Sequence, residues 1–305
     1  MKDATLDLLS CPMCHQLLHV VHRRTVDEAG RLRDGLLACR ICTRRYPVME
    51  WIPRLVPPEQ LSEAERLGVD AMGLGPDLET VADPAADPTW RIQEIERRAR
   101  AKLLPAGLSA RRLRRAEEQF VRALEPSLEE ADFFRAALSR LAPGAGFIAD
   151  LGDGQGRSVT GAPAVLFESD SAWAELARLR DPGTAVVRAD PLRLPLADGA
   201  ADFIAGLWTS DLPANEKAFI RELARVSRAG VFAGHSPRLL AGRRMMRGLK
   251  NLGCSVANEV GEFPLRPARR IRGLSTLRGG GMVCLSYRRT DKPAPAGMES
   301  PRSSA

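Results

Sequence analysis

Four of the six cysteines stand in two pairs of the form Cys-x-x-Cys, and this spacing is typical of a metal site. The pairs are Cys11 with Cys14, and Cys39 with Cys42. Two intervening residues allow both thiolates of a pair to reach one ion, so two pairs complete a tetrahedral site. Four cysteine ligands leave no position for water or substrate, which predicts a structural zinc ion rather than a catalytic one.

Two other interpretations of this region carry less weight. A redox dithiol needs only one such pair beside a βαβ unit, whereas here two pairs are present. His15, His19 and His22 could each replace a cysteine as a ligand, but four thiolates already have suitable spacing. We therefore expect the three histidines on the surface.

The residues around the cysteines resemble a family of small zinc ribbons. The matching segments are Leu8–Cys14, Leu37–Cys42, Tyr46–Val48 and Ile52–Leu55. Stand-alone members of this family activate methyltransferases that act on tRNA, rRNA and release factors. The resemblance implies a ribbon that covers an apolar edge of a methyltransferase and does not itself catalyse. The family usually has Asp-Gly before the Ile-Pro, where this chain has Glu50 and Trp51.

Acidic residues follow three short apolar runs in the second half of the chain. The runs end at Asp150, Glu168 and Asp190. The first acid also opens the glycine-rich turn Asp150-Leu151-Gly152-Asp153-Gly154-Gln155-Gly156. Glycines at alternate positions after a strand permit positive φ and let the backbone approach a ligand closely. Because open α/β sheets bind ligands at the carboxyl ends of their strands, we expect a ligand site there.

This order of segments resembles the class I S-adenosylmethionine-dependent methyltransferases over residues 131–290. Their D-x-G-x-G-x-G turn is matched in full by Asp150, Gly152, Gly154 and Gly156. The resemblance implies that Glu168 binds the ribose hydroxyls of S-adenosylmethionine and that Asp190 lies by its adenine amino group. A nicotinamide cofactor is disfavoured, because its turn is G-x-G-x-x-G.

Two observations leave the activity open. Only residues 157–163 remain for the crossover between the first two strands, although such connections ordinarily take about a dozen residues or more. A shortened crossover helix would weaken the hold on the cofactor, which favours an inactive methyltransferase fold that serves as a binding or scaffold protein. His235, after the fifth strand, is a weak candidate for a general base and could instead be merely a polar loop residue. Many methyl transfers need no base.

These residues need an α/β architecture to hold them. A helix is expected from Ser127 to Pro143-Gly144, and after it short apolar runs alternate with helical stretches, which is the pattern of an α/β sheet. The sequence predicts a Rossmann-like class I methyltransferase sheet with an N-terminal zinc ribbon and a helical linker. The predicted bounds are 1–56 for the ribbon, 57–126 for the linker with basic helices, 127–290 for the methyltransferase-like domain, and 291–305 for a disordered tail. We expect the linker to separate the cores of ribbon and sheet.

Composition and charge limit the function further. With 305 residues, 44% hydrophobic and 27% charged, the chain is typical of a globular protein and not of a fibrous or disordered one. No stretch approaches about eighteen uncharged apolar residues, so we expect a cytoplasmic protein with no membrane partner. The net charge of +7 is concentrated in arginine-rich segments that include 91–115 and 266–272. RNA is a candidate partner or methyl acceptor there, although solvated helix faces are the simpler explanation.

Overall fold

The computed structural model describes both the cysteine-rich N-terminal part and most of the later sheet. The described residues are 3–72, 79–80, 89–101, 128–142, 144–152, 164–208, 215–235, 239–262 and 281–289. Several sequence predictions fall outside them: Gly154, Gly156, the short crossover 157–163, the arginine-rich segment 266–272 and the tail 291–305. Of the arginine-rich segment 91–115, residues 91–101 are described.

The N-terminal part is a small antiparallel sheet built around the cysteine pairs. A one-turn helix, α1 (Asp3–Leu6), precedes the strands β1 (Leu18–Val26), β2 (Leu32–Cys39), β3 (Arg45–Met49) and β4 (Ile52–Leu55). Each strand pairs antiparallel with the next one in the chain. The first cysteine pair precedes β1, and the second begins at Cys39, the last residue of β2, so both pairs fall at the same end of the β1–β2 hairpin.

The segment after the ribbon contains short elements. A 3-10 turn over Pro58–Gln60 leads to helix α2 (Glu63–Met72), a two-residue strand β5 (Glu79–Thr80) and helix α3 (Thr89–Ala101). Ser62 and Glu65 start α2 with a reciprocal capping box, in which the Ser62 N–H donates to the Glu65 carboxylate at 2.7 Å. The described part of this segment therefore contains one helix that starts with a capping box and a second, arginine-rich helix.

The second half of the chain forms a doubly wound α/β sheet. Its strands are β6 (Ile148–Asp150), β7 (Ala164–Glu168), β8 (Ala185–Ala189), β9 (Phe203–Trp208), β10 (Ala229–His235), β11 (Cys254–Glu262) and β12 (Gly281–Arg289). Its helices are α4 (Leu128–Leu141), α5 (Ser171–Arg180), α6 (Glu216–Val226) and α7 (Leu239–Asn251). The strand order is β11-β12-β10-β9-β6-β7-β8, and β12 runs antiparallel to both of its neighbours. The direction of winding reverses at β6, between β7 and β9, and ligands bind such sheets at this point.

Helices cover both faces of this sheet. On one face, Phe134 and Leu138 of α4 pack against Phe203 and Val231 of the sheet. The buried side chains of α6 and α7 belong to the largest hydrophobic cluster, which also contains residues of the ribbon. Helix α3 forms a further layer, since its Ile95 packs against α5. Among the described residues, no helix is long and apolar enough to cross a membrane.

The ribbon and the sheet share one core. Strand β4 pairs in parallel with β8, with Arg54 opposite Arg188 and Leu55 opposite Ala189. One hydrophobic cluster contains Leu9 and Tyr46 of the ribbon together with Val187 of the sheet. The expectation of separate cores was therefore wrong. All four residues of β4 are buried, as in an interior strand, because the sheet continues on the far side of it.

Candidate functional site

The four cysteine sulfurs meet at one point. They all lie within 4.8 Å of one another, with 3.4 Å between the sulfurs of Cys11 and Cys42 and 3.4 Å between those of Cys14 and Cys39. Zinc–sulfur bonds of about 2.3 Å in a tetrahedron would set the sulfurs about 3.8 Å apart, so the cluster fits one zinc ion. The three nearby histidines lie outside this cluster and are half-buried, not on the open surface as we expected.

The same backbone turn wraps each cysteine pair. The His15 N–H donates to the Cys11 carbonyl at 2.8 Å, and the Thr43 N–H donates to the Cys39 carbonyl at 3.1 Å. His15 and Thr43 both follow their cysteine by four residues, and both have positive φ, 57° and 58°. A left-handed residue at this position closes the turn, so that the two thiols of each pair face the same point.

Two neighbours of the cluster favour the thiolate form that binds metal. Burial raises the pKa of Cys42, but hydrogen bonds from Arg44 and from the thiols of Cys11 and Cys14 outweigh it and lower the pKa to about 6, whereas burial raises the pKa of Cys14. The Tyr46 hydroxyl lies 3.2 Å from the Cys11 sulfur, and burial raises the pKa of Tyr46, so the O–H remains available as a donor. Donors of this kind stabilise negative charge on sulfur and so favour metal binding.

The three predicted acids lie at the carboxyl ends of three strands of the sheet. Asp150 is the last residue of β6, Glu168 is the last residue of β7, and Asp190 directly follows β8. The three strands are parallel neighbours, so their carboxyl ends meet at one edge. His235, the last residue of β10, stands at the same edge of the sheet, and its side chain is outside the described residues.

Backbone donors hold the first two carboxylates. The Asp150 side chain is buried and accepts the Gly152 N–H at 2.7 Å, and Gly152 has a φ of 68°, which glycine adopts without strain. The Glu168 carboxylate accepts the N–H groups of Ser169 and Asp170, at 2.8 and 3.2 Å. Both acids are thus oriented by the turns that follow their strands.

A residue from outside the sheet domain holds the third carboxylate. Asp190 accepts the Leu192 N–H through Oδ1 at 2.8 Å and the side-chain amide of Gln60 through Oδ2 at 2.9 Å. Gln60 ends the 3-10 turn that follows the ribbon. Sequence reasoning did not identify Gln60, because its pattern predicts only a loop between ribbon and sheet.

A buried arginine joins these groups. Arg188 lies opposite Glu168 on the neighbouring strand and donates through Nη1 to both oxygens of the Glu65 carboxylate, at 2.6 and 2.5 Å. It also donates to the Gln60 carbonyl at 2.9 Å and to the Ser169 carbonyl at 3.4 Å. Arg188 therefore connects the turn after Glu168 with the segment that contacts Asp190. The capping box of α2 was the only sequence signal for Glu65, and it did not indicate this partner.

The loop after Asp190 also touches the zinc ribbon. The Ser10 N–H, next to the first cysteine pair, donates to the Pro195 carbonyl at 2.8 Å. Arg225 of α6 donates to the carbonyls of Leu194 and Leu196 at 3.0 and 2.7 Å. The loop is therefore fixed between the cysteine cluster and α6.

The turn between β3 and β4 is formed by Glu50 and Trp51. Glu50 and Trp51 both have positive φ, 51° and 65°, as a two-residue hairpin turn requires. Trp51 is 4% exposed, and the guanidinium groups of Arg33 and Arg178 each lie 5.1 Å from the centroid of its ring. Since Arg178 belongs to α5, the tryptophan forms part of the contact between ribbon and sheet.

Comparison with protein families identifies the N-terminal part. Residues 2–50 match the family described as Trm112p-like protein. The ribbon is therefore similar to the Trm112p-like family over residues 2–50, and it continues into an α/β domain with a Rossmann-like sheet. A comparison with curated proteins gives no match.

Solved structures resemble the α/β part weakly. A chain in the complex of the Haloferax volcanii Trm112 methyltransferase activator with a candidate methyltransferase is 15% identical, with a TM-score of 0.40 over 55% of this chain and 93% of that one. The geranyl diphosphate C-methyltransferase from Streptomyces coelicolor is 13% identical, with a TM-score of 0.41 over 53% of this chain and 79% of that one. Similarity at this level carries no information about activity or substrate.

Proposed function

We propose that this chain is an S-adenosylmethionine-dependent methyltransferase that carries its zinc ribbon in cis. The observation that carries the proposal is the pairing of ribbon strand β4 with β8, because β8 leads directly into Asp190. The ribbon thus covers the edge strand beside the proposed cofactor site. An activator that elsewhere is a separate protein would here be a permanent part of the enzyme.

The acids at the sheet edge suit the cofactor. Glu168 supplies a carboxylate that can accept hydrogen bonds from ribose hydroxyls, and Asp190 supplies one for the adenine amino group. Asp150 and the glycine-rich turn that it opens let the backbone approach the rest of the cofactor. When bound, S-adenosylmethionine supplies a methyl group on a sulfonium that is already activated. The protein then has to place the acceptor in line with that group, and such placement contributes about 7–11 kcal/mol.

The metal in this proposal is a structural zinc ion held by Cys11, Cys14, Cys39 and Cys42. All four ligands come from the protein, so no position is left for a reacting group. Its function would be to hold the two cysteine turns against the loop that follows Asp190. The contact between Ser10 and Pro195 supports this role.

Calorimetric titration of the purified full chain with S-adenosylmethionine and S-adenosylhomocysteine tests the proposal. We expect saturable binding of both at one site per chain. No binding of either ligand would contradict the proposal and would favour the second candidate, an inactive methyltransferase fold that binds or scaffolds a partner. The short crossover at residues 157–163 is the observation in favour of that candidate.

We propose the methyl acceptor only by its chemical class: a small molecule or RNA in the cytoplasm. Among the described residues of the 91–115 segment, Arg91 pairs with Glu50 and Arg97 pairs with Glu94, which uses charge that phosphates would need.

An RNA acceptor would give binding that weakens with salt, with a log–log slope of about −0.7 per contact on a single strand. Arg269→Ala/Arg270→Ala should then reduce that slope by about one to two contacts. A slope that the double variant leaves unchanged would contradict phosphate binding by these two arginines.

A further inference from the structure

The Asp190 carboxylate is held from two sides by donors of different origin. Its Oδ1 accepts the Leu192 N–H of its own loop, and its Oδ2 accepts the Gln60 amide of the segment after the ribbon. Two donors on opposite oxygens fix the plane of the carboxylate. A third donor, from a ligand, would therefore meet an acceptor whose orientation is already set.

Gln60 is in turn fixed by its backbone. Its N–H donates to the Pro57 carbonyl at 2.9 Å, and its carbonyl accepts from Arg188 at 2.9 Å. Arg188 is almost fully buried and is locked by the Glu65 carboxylate at the start of α2. Gln60 itself is exposed, so its side chain stands at the surface on a rigid, buried support.

We propose that Gln60 is a positioning residue of the cofactor site, contributed by the segment after the ribbon. The proposal rests on the proposed function, because it takes Asp190 as the acceptor for the adenine amino group. Gln60 holds the Asp190 carboxylate in the orientation that accepts this group, so less side-chain freedom is lost on binding. The ribbon, the turn after it and the sheet domain then complete one site together.

Calorimetry with S-adenosylhomocysteine and four full-length proteins tests this role. The proteins are the wild type, Gln60→Met, Gln60→Glu and the control Glu59→Gln, which changes an exposed neighbour in the same 3-10 turn. Gln60→Met keeps the length of the side chain but removes the donor, and we expect binding to weaken about three- to tenfold. Gln60→Glu should weaken it more, because a second carboxylate beside Asp190 repels the first. Glu59→Gln should bind like the wild type.

A second ligand separates positioning from a general structural effect. In the purine analogue of S-adenosylhomocysteine, a hydrogen replaces the adenine amino group, so Asp190 has no donor to accept from. We expect the wild type to bind this analogue more weakly than S-adenosylhomocysteine, and Gln60→Met to leave its binding unchanged. An equal loss for both ligands in Gln60→Met, or equal binding of both by the wild type, would overturn the inference.

The outcomes also separate this inference from the proposed function. If the wild type binds S-adenosylhomocysteine and Gln60→Met binds it equally well, only the role of Gln60 is overturned. If the wild type binds neither ligand, the proposed function fails and the inference fails with it. Thermal melting of each variant confirms that the compared proteins are folded.

Discussion

The Arg188 guanidinium and the Glu65 carboxylate form a buried ion pair that joins the edge strand of the α/β sheet to the segment after the zinc ribbon. The same carboxylate lies 3.5 Å from Nε of Arg54, a buried residue of ribbon strand β4. The Glu65 carboxylate is therefore shared by two buried guanidinium groups on neighbouring strands, and Arg54 has a second acidic partner in Glu175, also at 3.5 Å. Buried charges are stable only when such partners are present.

Replacing Glu65 by glutamine should destabilise the whole chain. The change leaves Arg188 and Arg54 without their shared counter-charge, and breaking a buried pair in this way costs about 3–5 kcal/mol. Urea unfolding followed by circular dichroism measures the loss. Glu63→Gln, an exposed change in the same helix, is the control. A loss no larger than that of the control would show that the pair contributes nothing.

The same carboxylate should make stability depend on pH. Burial alone would raise the pKa of Glu65, but hydrogen bonds from Arg188 and Ser62 outweigh it and hold the pKa below the ordinary value of 4.5. A lowered folded-state pKa stabilises the protein above the unfolded value, and this stabilisation is lost as pH falls through the folded pKa. We expect the unfolding free energy of the wild type to fall more steeply below pH 4.5 than that of Glu65→Gln. Parallel curves for the two proteins would contradict this assignment.

Loss of one zinc ligand should affect more than the ribbon. Cys39→Ser should release the metal, and the shared hydrophobic cluster should transmit the loss of order to the sheet. We expect elemental analysis to find about one zinc per wild-type chain and little in the variant. Thermal unfolding of the variant should shift as a whole to lower temperature. Cys254→Ser, a buried cysteine outside the ribbon, should retain the metal. Metal-free wild-type protein directly after purification would contradict the zinc assignment.

Glu168 should contribute more to cofactor binding than Asp190. Glu168→Gln removes the charge from the proposed ribose contact and should weaken binding of S-adenosylhomocysteine about ten- to a hundredfold. Asp190→Ala should have a smaller effect. Asp132→Asn, an exposed change on α4, is the control in calorimetry. If Glu168→Gln and the wild type bind equally, the cofactor does not use this edge of the sheet.

Two substitutions at Trp51 separate packing from backbone strain. Trp51→Ala removes the ring that contacts Arg33 and Arg178 and should cost about 3–5 kcal/mol. Trp51→Gly removes the same contacts but relieves the positive φ of 65°, a conformation that costs non-glycine residues about 1 kcal/mol or more. Unfolding measurements should therefore rank the stabilities as wild type, glycine variant, alanine variant. An alanine variant at least as stable as the glycine variant would show that the turn is not strained.

Local sequence patterns predict the groups whose positions depend on local geometry. Spacing within a few residues brings each cysteine pair to one turn, and a strand that ends at an acid places that acid at the sheet edge. Such local rules account for the cysteine cluster, for the positions of Asp150 and Glu168 at the ends of their strands, and for the start of α2. The alternation of helices and strands likewise predicts the α/β class, because each pattern reports which face of an element is buried.

Contacts between distant segments, in contrast, follow from the three-dimensional fold. Gln60 and Asp190 are 130 residues apart, and Glu65 and Arg188 are 123 apart. Periodicity indicates that a side chain is buried but does not identify its partner. The pattern of β8 therefore did not predict that Arg188 pairs with Glu65. The sequence likewise did not predict the pairing of β4 with β8, because the unpaired backbone groups of any sheet edge can form hydrogen bonds with a strand. The shared core follows from that pairing, because a continuous sheet brings the apolar faces of both parts together.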